Sequence, residues 1–473
     1  MNRRSLWAGG MEALETRRLL STLTADPAAP PDHAPEGGPL QVEEWQGPDG
    51  LQLFVTGTGL KDRIRLSQSA DGLLLTNAGG YKLLLDRQYV KIRINAGYGD
   101  DSVVADPSVT TPLVIEGGLG NDNLVGGSGD DTIVGGPGRN RLSGAFGNDT
   151  LVSLGGSKGD ILKGGFGDDR FWSDAAGDKV SDLSPQERGE GAVHAVGSFR
   201  AYRMPDGGIL NQWMNAPMQV MGQDLPDPVL ADGWSYAPTY GAPLFATGGP
   251  KLQDVQQGYV GDCYFLATIG AVAKADPNFI RNHVADLGDG TYAVQFQRAG
   301  KPVYVRVDGD MPMLEGDLAA GAAPADEDAV WVGVMEKAYA YFRDGDGTYA
   351  SIEGGFPSEV FADLGFVPTP AALSAESDLL TMALQDQNAG RVAVFGTGDV
   401  PAGSPLIEFH AYTVDQVLVD DTGTPYALRL RNPWGSDGGE KDTDGVDDGY
   451  ITVTAAEAFA AANPAEAYTS AAV

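Results

Sequence analysis

Between Gly117 and Trp172 the chain repeats itself. The segments GGLGNDNLV, GGSGDDTIV, GGPGRNRLS, GAFGNDTLV and GGFGDDRFW recur, most of them nine residues apart. GGSKGDILK is a looser copy, and AGYGDDSVV at 96–104 is an outlying one. A short fixed period implies small units stacked on their neighbours, because no single unit can bury its own apolar face. The glycines permit left-handed turns. The apolar residue at the eighth position (Leu124, Ile133, Leu142, Leu151) points into a thin core. A disordered Gly/Asp linker is the competing reading, and an apolar residue kept in register argues against it. Charge narrows the choice of partner. Sixty-five acids against thirty-two Lys and Arg give a formal charge of −33. That disfavours nucleic acid and anionic membranes as partners and makes a divalent cation the natural counterion.

The repeated unit resembles the calcium-binding nonapeptide of the repeats-in-toxin (haemolysin-type) proteins. The resemblance implies a parallel β-roll in which Ca2+ is held by glycine carbonyls and sixth-position acids. Those acids are Asp101, Asp122, Asp131, Asp149, Asp160 and Asp169. Asn140 stands where an acid is expected and Lys158 interrupts its repeat, so both should weaken their local sites. Without calcium the stacked carboxylates repel one another, and so thin a core should not hold the segment together.

The second constraint is a single cysteine, Cys263, inside QGYVGDCYFLATIGAVA. A lone thiol forms no internal disulfide, and without Cys or His neighbours it is no zinc site. Gly258 and Gly261 allow a tight turn, and Asp262 is placed to cap a helix beginning at Cys263. Phe265, Ile269 and Val272 recur at helical spacing and would pin that helix to a core. A first-turn thiol feels the helix dipole and free N–H groups, which lower its pKa and favour the thiolate. A buried structural cysteine is the alternative. A nucleophilic thiol also needs a base and a group to orient it. Four histidines are available. His33 lies in a Pro-rich leader, His194 in a Gly-rich polar connector, and His283 beside a turn, where it should cap a helix on the surface. His410 precedes an apolar strand, AYTVDQVLV, within reach of a second strand, YALRLRNPWG. Pairing of these strands would bring His410 next to Asn432, whose amide can orient the imidazole; a satisfied core histidine is the alternative.

These segments resemble the calpain family of cysteine proteases. QGYVGDCYF is similar to its active-site segment, FHAYTV to its histidine segment and LRLRNPWG to its asparagine segment. WVGVMEKAYAYF and SIEGGFPSEVFADLG are similar to its central helix and the Gly-Gly turn that follows. The resemblance spans roughly residues 225–460. It implies a papain-like fold in which a helical lobe carrying Cys263 faces a β-rich lobe carrying His410 and Asn432. Cys263 would be the nucleophile, His410 the general acid/base, Asn432 the orienting group and Gln257 an oxyanion donor. Asp254 matches a calcium-binding acid of the family and Gly249 a nearby backbone ligand. The expected partner acid falls on Ala329, with Asp328 adjacent. Trp434 matches a residue that wedges the family's cleft in the absence of calcium. Tyr264, Phe409 and Val260 depart from the family's Trp, Gly and Leu. A second acidic run holds Asp437, Glu440, Asp442, Asp444, Asp447 and Asp448; it is either a second calcium loop or a solvated loop.

The expected organisation is a leader over 1–39, a β-solenoid over 40–185, a connector over 186–224 and a protease core over 225–473. The fold class is thus multidomain: an all-β parallel roll followed by an α+β, two-lobed, papain-like domain. Residues 41–115 should supply the first coils. Residues 263–274 and 330–343 read as helices, and TYAVQFQ with PVYVRVD as a hairpin. MEALETRRLLS is similar to a leader of bacterial surface proteins. With a calcium roll it points to an extracellular or cell-surface location, and no apolar run is long enough for a membrane helix. The function expected is calcium-dependent endopeptidase action on protein or peptide substrates. The alternatives are a calcium-stabilised surface or adhesion protein with an inactive peptide-binding domain, or an acyl transferase using the same residues.

Overall fold

The computed structural model describes residues 18–23, 40–47, 50–154, 159–174, 177–200, 202–203, 209–210, 225–239, 242–246, 248–287, 290–314, 318–319, 321–323, 329–343, 345, 347–438 and 445–473. His33, Lys158, Asp328 and the acidic residues Glu440, Asp442 and Asp444 lie outside the described residues.

The repeats wind into a parallel β-solenoid followed by a mixed α/β domain. Alternate repeats fall on opposite walls. One wall pairs Ser102–Ala105, Asn123–Val125, Arg141–Phe146 and Ile161–Phe166 in parallel, and the other Leu113–Glu116, Thr132–Val134, Thr150–Ser153 and Arg170–Asp174. The eighth-position residues therefore form two stacks. Val103, Leu124, Leu142 and Leu162 lie in register on one wall, and Ile115, Ile133, Leu151 and Phe171 on the other. All eight are buried. Residues 41–115 only partly follow the roll pattern. Leu40–Gly47 with Gly50–Thr58, and Arg63–Ser69 with Gly72–Thr76 and Lys82–Leu85, form antiparallel hairpins that close its N-terminal end. Arg18–Leu23, in the stretch expected as leader, adds an antiparallel edge strand to Leu40–Gly47. At the other end the roll runs on through Val193–Val196, in the stretch read as connector.

The second domain has two layers of core. In the first, helix α1 (Cys263–Ala275) and helix α3 (Trp331–Phe342) share a core with the hairpin β1 (Thr291–Arg298) and β2 (Lys301–Asp308). Helix α2 (Pro277–His283) follows α1, with Asp276 capping it through the Asn278 and Phe279 amides. Both long helices are buried on nearly every face, the mark of a helix inside a core rather than on it. The second core lies around a six-stranded antiparallel sheet. Its strands include β3 (Arg391–Gly396), β4 (Ala411–Val419), β5 (Pro425–Arg431) and β6 (Tyr450–Thr454).

The two domains share a core. Val134, Val152, Leu154, Trp172, Val196 and Phe199 of the roll pack on Ala285, Leu287, Ala293 and Tyr304 of the second domain. Two histidines expected at polar positions lie in this interface. His194 is buried, stacks on Trp172 at 4.3 Å and bonds Gln295 at 2.7 Å. His283 ends α2 but is buried there, its Nδ1–H donating to the Phe279 carbonyl at 2.8 Å. Neither is a surface residue, because His194 on the roll and His283 on the second domain face each other where the two dock. Sequence reasoning had no signal for that contact.

Candidate active site

Cys263 opens α1, as its helical spacing predicts. Asp262 occupies the cap position but makes no capping bond. Its carboxyl turns inward instead and accepts from Gln257 Nε2 at 3.3 Å. Cys263 as a residue is partly buried. Burial pushes its thiol up to about 12, opposed by the Ala411 amide beside it. Desolvation thus opposes the lowering expected from the helix end, and the Asp262 charge adds to it.

His410 reaches the same place from the other lobe. β4 and β5 pair with Thr413 opposite Arg431, so the residue before β4 and the residue after β5 meet at one sheet end. His410 Nε2 lies 2.9 Å from Asn432 Oδ1. Since Oδ1 only accepts, Nε2 carries the proton and Nδ1 remains the basic nitrogen. The His410 amide is fixed by Thr397 Oγ1 at 2.9 Å, and Trp434 stands 5.0 Å from the imidazole, ring centre to ring centre. Burial lowers His410 to about 4, while the Asn432 bond opposes the shift. The Ala411 amide next to His410 faces the Cys263 sulfur, which brings the two groups near each other. The lobes are tied together as well: Thr413 Oγ1 donates to the Ala267 carbonyl at 2.7 Å, and Lys274 pairs with Asp415 at 2.7 Å.

Gln257 is held by two bonds. Its backbone N–H donates to Pro433 O at 2.7 Å, and its Nε2 to Val260 O at 2.6 Å. Phe409, where the related segment has Gly, is exposed and has φ of 52°. That left-handed backbone explains the family's glycine and strains a Phe.

Asp254 lies apart from these groups. Its Oδ2 accepts the Trp331 indole N–H at 2.8 Å, and Lys251 Nζ stands 3.9 Å from Oδ1. A buried indole needs such a partner, and the bond engages one of the two carboxylate oxygens. Asp437 is also buried; its N–H donates to Asp447 Oδ1 and its own Oδ1 accepts from the Gly449 N–H, both at 2.7 Å.

In the roll, each sixth-position carboxylate receives the backbone N–H of the preceding coil. Asp122 Oδ1 accepts from Asp101 at 2.8 Å, Asp149 Oδ1 from Asp131 at 2.8 Å, and Asp169 Oδ1 from Asp149 at 2.9 Å. The second oxygens tell more. Oδ2 of Asp101, Asp122, Asp149, Asp160 and Asp169 is buried with no hydrogen-bond partner. Asp131 Oδ2 accepts from Gly127 at 2.7 Å. A Cβ on Gly117 would fall 2.5 Å from Asp122 Oδ2 and 2.6 Å from Gly135 O, so the missing Cβ leaves room where two oxygens converge. Buried oxygens without donors, beside glycine carbonyls, suit a hard cation. Burial raises Asp101, Asp131 and Asp160 to about 7, Asp122 and Asp169 to about 6, and Asp149 to about 9. Among the described residues no three His, Cys, Asp or Glu side chains converge. An ion in the roll would thus rest mainly on backbone carbonyls.

Comparison with known proteins agrees with both halves. Residues 234–442 match the calpain family cysteine protease model, and 116–151 with 154–180 match the RTX calcium-binding nonapeptide repeat. The chain thus carries a calpain-family cysteine protease domain behind RTX-type repeats. It is similar to Calpain-B of Drosophila melanogaster, 29% identical over 214 residues, covering 41% of this chain and 23% of that one. The Calpain-2 catalytic subunit of Bos taurus is 29% identical over 214 residues, covering 41% and 29%. The chain spans only about a quarter of the length of such curated relatives.

Proposed function

We propose that the protein is a calcium-dependent cysteine endopeptidase. Cys263 attacks the peptide carbonyl, and His410 Nδ1 takes its proton and returns it to the leaving amine. Asn432 holds the imidazole through Nε2, and the Cys263 amide with Gln257 Nε2 faces the oxyanion. The observation that carries the reading is the 2.9 Å His410–Asn432 bond at the sheet end that faces the α1 thiol. Calcium, when bound, supplies charge neutralisation to the roll. Asp101, Asp122, Asp149, Asp160 and Asp169 would hold it with glycine carbonyls, and Asp131 adds its carboxylate to the same ladder. Asp254, whose Oδ2 holds the Trp331 indole, would offer its other oxygen to a separate calcium site in the protease domain. An extracellular or cell-surface location fits repeats that need abundant calcium, and the domain implies protein or peptide substrates.

The test is casein hydrolysis by wild type and Cys263→Ala, each with calcium and with chelator. Only calcium-loaded wild type should cleave, and full activity in Cys263→Ala ends the reading. A second reading, a calcium-stabilised surface protein whose peptidase domain only binds peptides, draws on the neutral thiol and on Phe409 at the cleft. A peptide epoxide separates the two: it labels Cys263 in an enzyme and leaves an inert binding domain unmodified.

A further inference from the structure

Asp262 and Glu336 form a pair that the reaction above does not use. Both are fully buried, one beside the nucleophile and the other on α3. Glu336 accepts the Ala322 N–H with both oxygens at 3.0 Å, and a Cβ on Gly321 would come within 2.3 Å of Oε2. The neighbouring Ala323 N–H binds Gln256 O at 2.7 Å. One loop thus ties Glu336 to the segment of Gln257. The carboxyls of Asp262 and Glu336 stand at hydrogen-bonding distance from each other. Yet Asp262 Oδ2 has no donor, and neither group is one unless it carries a proton. The missing donor is that proton.

We propose that Asp262 and Glu336 share one proton, and that Glu336, acting through Asp262, positions the Gln257 amide of the oxyanion site. The proposal rests on the peptidase reading above. Val260 O pins one Gln257 N–H at 2.6 Å, and Asp262 Oδ1 aims the other at a longer 3.3 Å. The longer bond is the one an oxyanion can draw away. With the proton in place the pair carries a single negative charge. Without it, two buried charges stand behind the site where the oxyanion and thiolate develop, opposing both.

The surroundings leave the alkaline behaviour to this pair. Burial raises the phenols of Tyr236, Tyr264 and Tyr349 above their ordinary range and Cys263 to about 12. Lys337 turns away to Asp227 and Asp308, Arg343 lies over the Tyr264 ring, and His410 titrates only in acid. Burial raises both carboxyls themselves.

The experiment measures kcat and KM against pH for the calcium-loaded full chain, with Glu336→Gln and Glu336→Ala. Glu336→Ala should lower kcat by about 100-fold, as losing an oxyanion donor does, with KM little changed. Glu336→Gln donates to Asp262 without a titratable proton, so it should restore most of kcat and remove the alkaline loss expected of wild type. Glu336→Gln as impaired as Glu336→Ala, or an unchanged alkaline limb, overturns the proposal. Infrared difference spectra decide the proton itself, whether or not peptides are cleaved. A protonated-carboxyl band should be present in wild type and absent in Glu336→Gln, and its absence from wild type also overturns the proposal. A wild type that shows the band but cleaves nothing instead condemns the peptidase reading.

Discussion

At the residue scale burial disfavours charge on both Cys263 and His410. Desolvation holds the Cys263 thiol near 12 and the His410 imidazole near 4, so at neutral pH sulfur keeps its proton and nitrogen lacks one. The proton must therefore move during attack. Iodoacetamide labelling of Cys263 should then accelerate continuously as pH rises past neutrality. A plateau already reached below pH 7 would show a preformed thiolate and contradict this account. Phe409 offers a second test. A left-handed Phe costs about 1–2 kcal/mol, and its side chain is 70% exposed, so little packing is lost with it. Phe409→Gly should raise the unfolding free energy by up to ~1 kcal/mol, measured by chemical denaturation. The start of a helix at Cys263 and the meeting of His410 with Asn432 were legible from residue type and from their neighbours in sequence. The inward turn of Asp262 was not. Cap preference is local, whereas that carboxyl answers to Glu336 on another helix.

At the scale of elements, the roll is two carboxylate ladders wrapped around two apolar stacks. Asn140 shows what the ladder needs. Its Oδ1 accepts from the Asp122 amide at 2.9 Å as an acid would, but its Nδ2 donates to Gly136 O at 2.8 Å. Asn140 thus satisfies itself, where its acidic neighbours leave an oxygen bare. Asn140→Asp should destabilise the chelated protein by about 1–3 kcal/mol, the cost of an unsatisfied buried acceptor. With calcium present it should be neutral or stabilising; melting curves in both conditions check this. Equal loss in both would mean that the bare oxygens do not bind calcium. The nine-residue period predicted the stacking and the inward apolar residue. It did not predict the antiparallel hairpins at the N-terminal end, because Gly turns between β-rich pieces fit hairpins and coils alike.

At the scale of the whole molecule, the roll and the protease domain share a hydrophobic core around Trp172 and Tyr304. Anything that stabilises the roll alone therefore stabilises the pair. Calcium should raise the melting temperature of the protease domain together with that of the roll, in one transition. Trp172→Ala should split that transition in calorimetry, leaving a protease step indifferent to calcium. The interface also responds to acid. His194 and His283 are held neutral, at about 3 and about 4 against an ordinary 6.5. An opened chain takes up protons below 6.5 that the docked one refuses, so stability is present above that pH and declines as pH falls towards 4. His194→Gln should flatten the decline in a pH series of melting temperatures.

Sequence by itself determined the two halves, their order and the meeting of His410 with Asn432. Repeats, an apolar register and short motifs are statements about neighbours along the chain, and backbone geometry turns them directly into coils, helices and strand ends. Tertiary structure alone decided three things: the burial that keeps Cys263 and His410 uncharged, the pairing of Asp262 with Glu336, and the docking of His194 and His283 between domains. Each depends on which distant surfaces exclude water from one another, and dielectric environment is a property of the assembled interior that no local run of residues encodes.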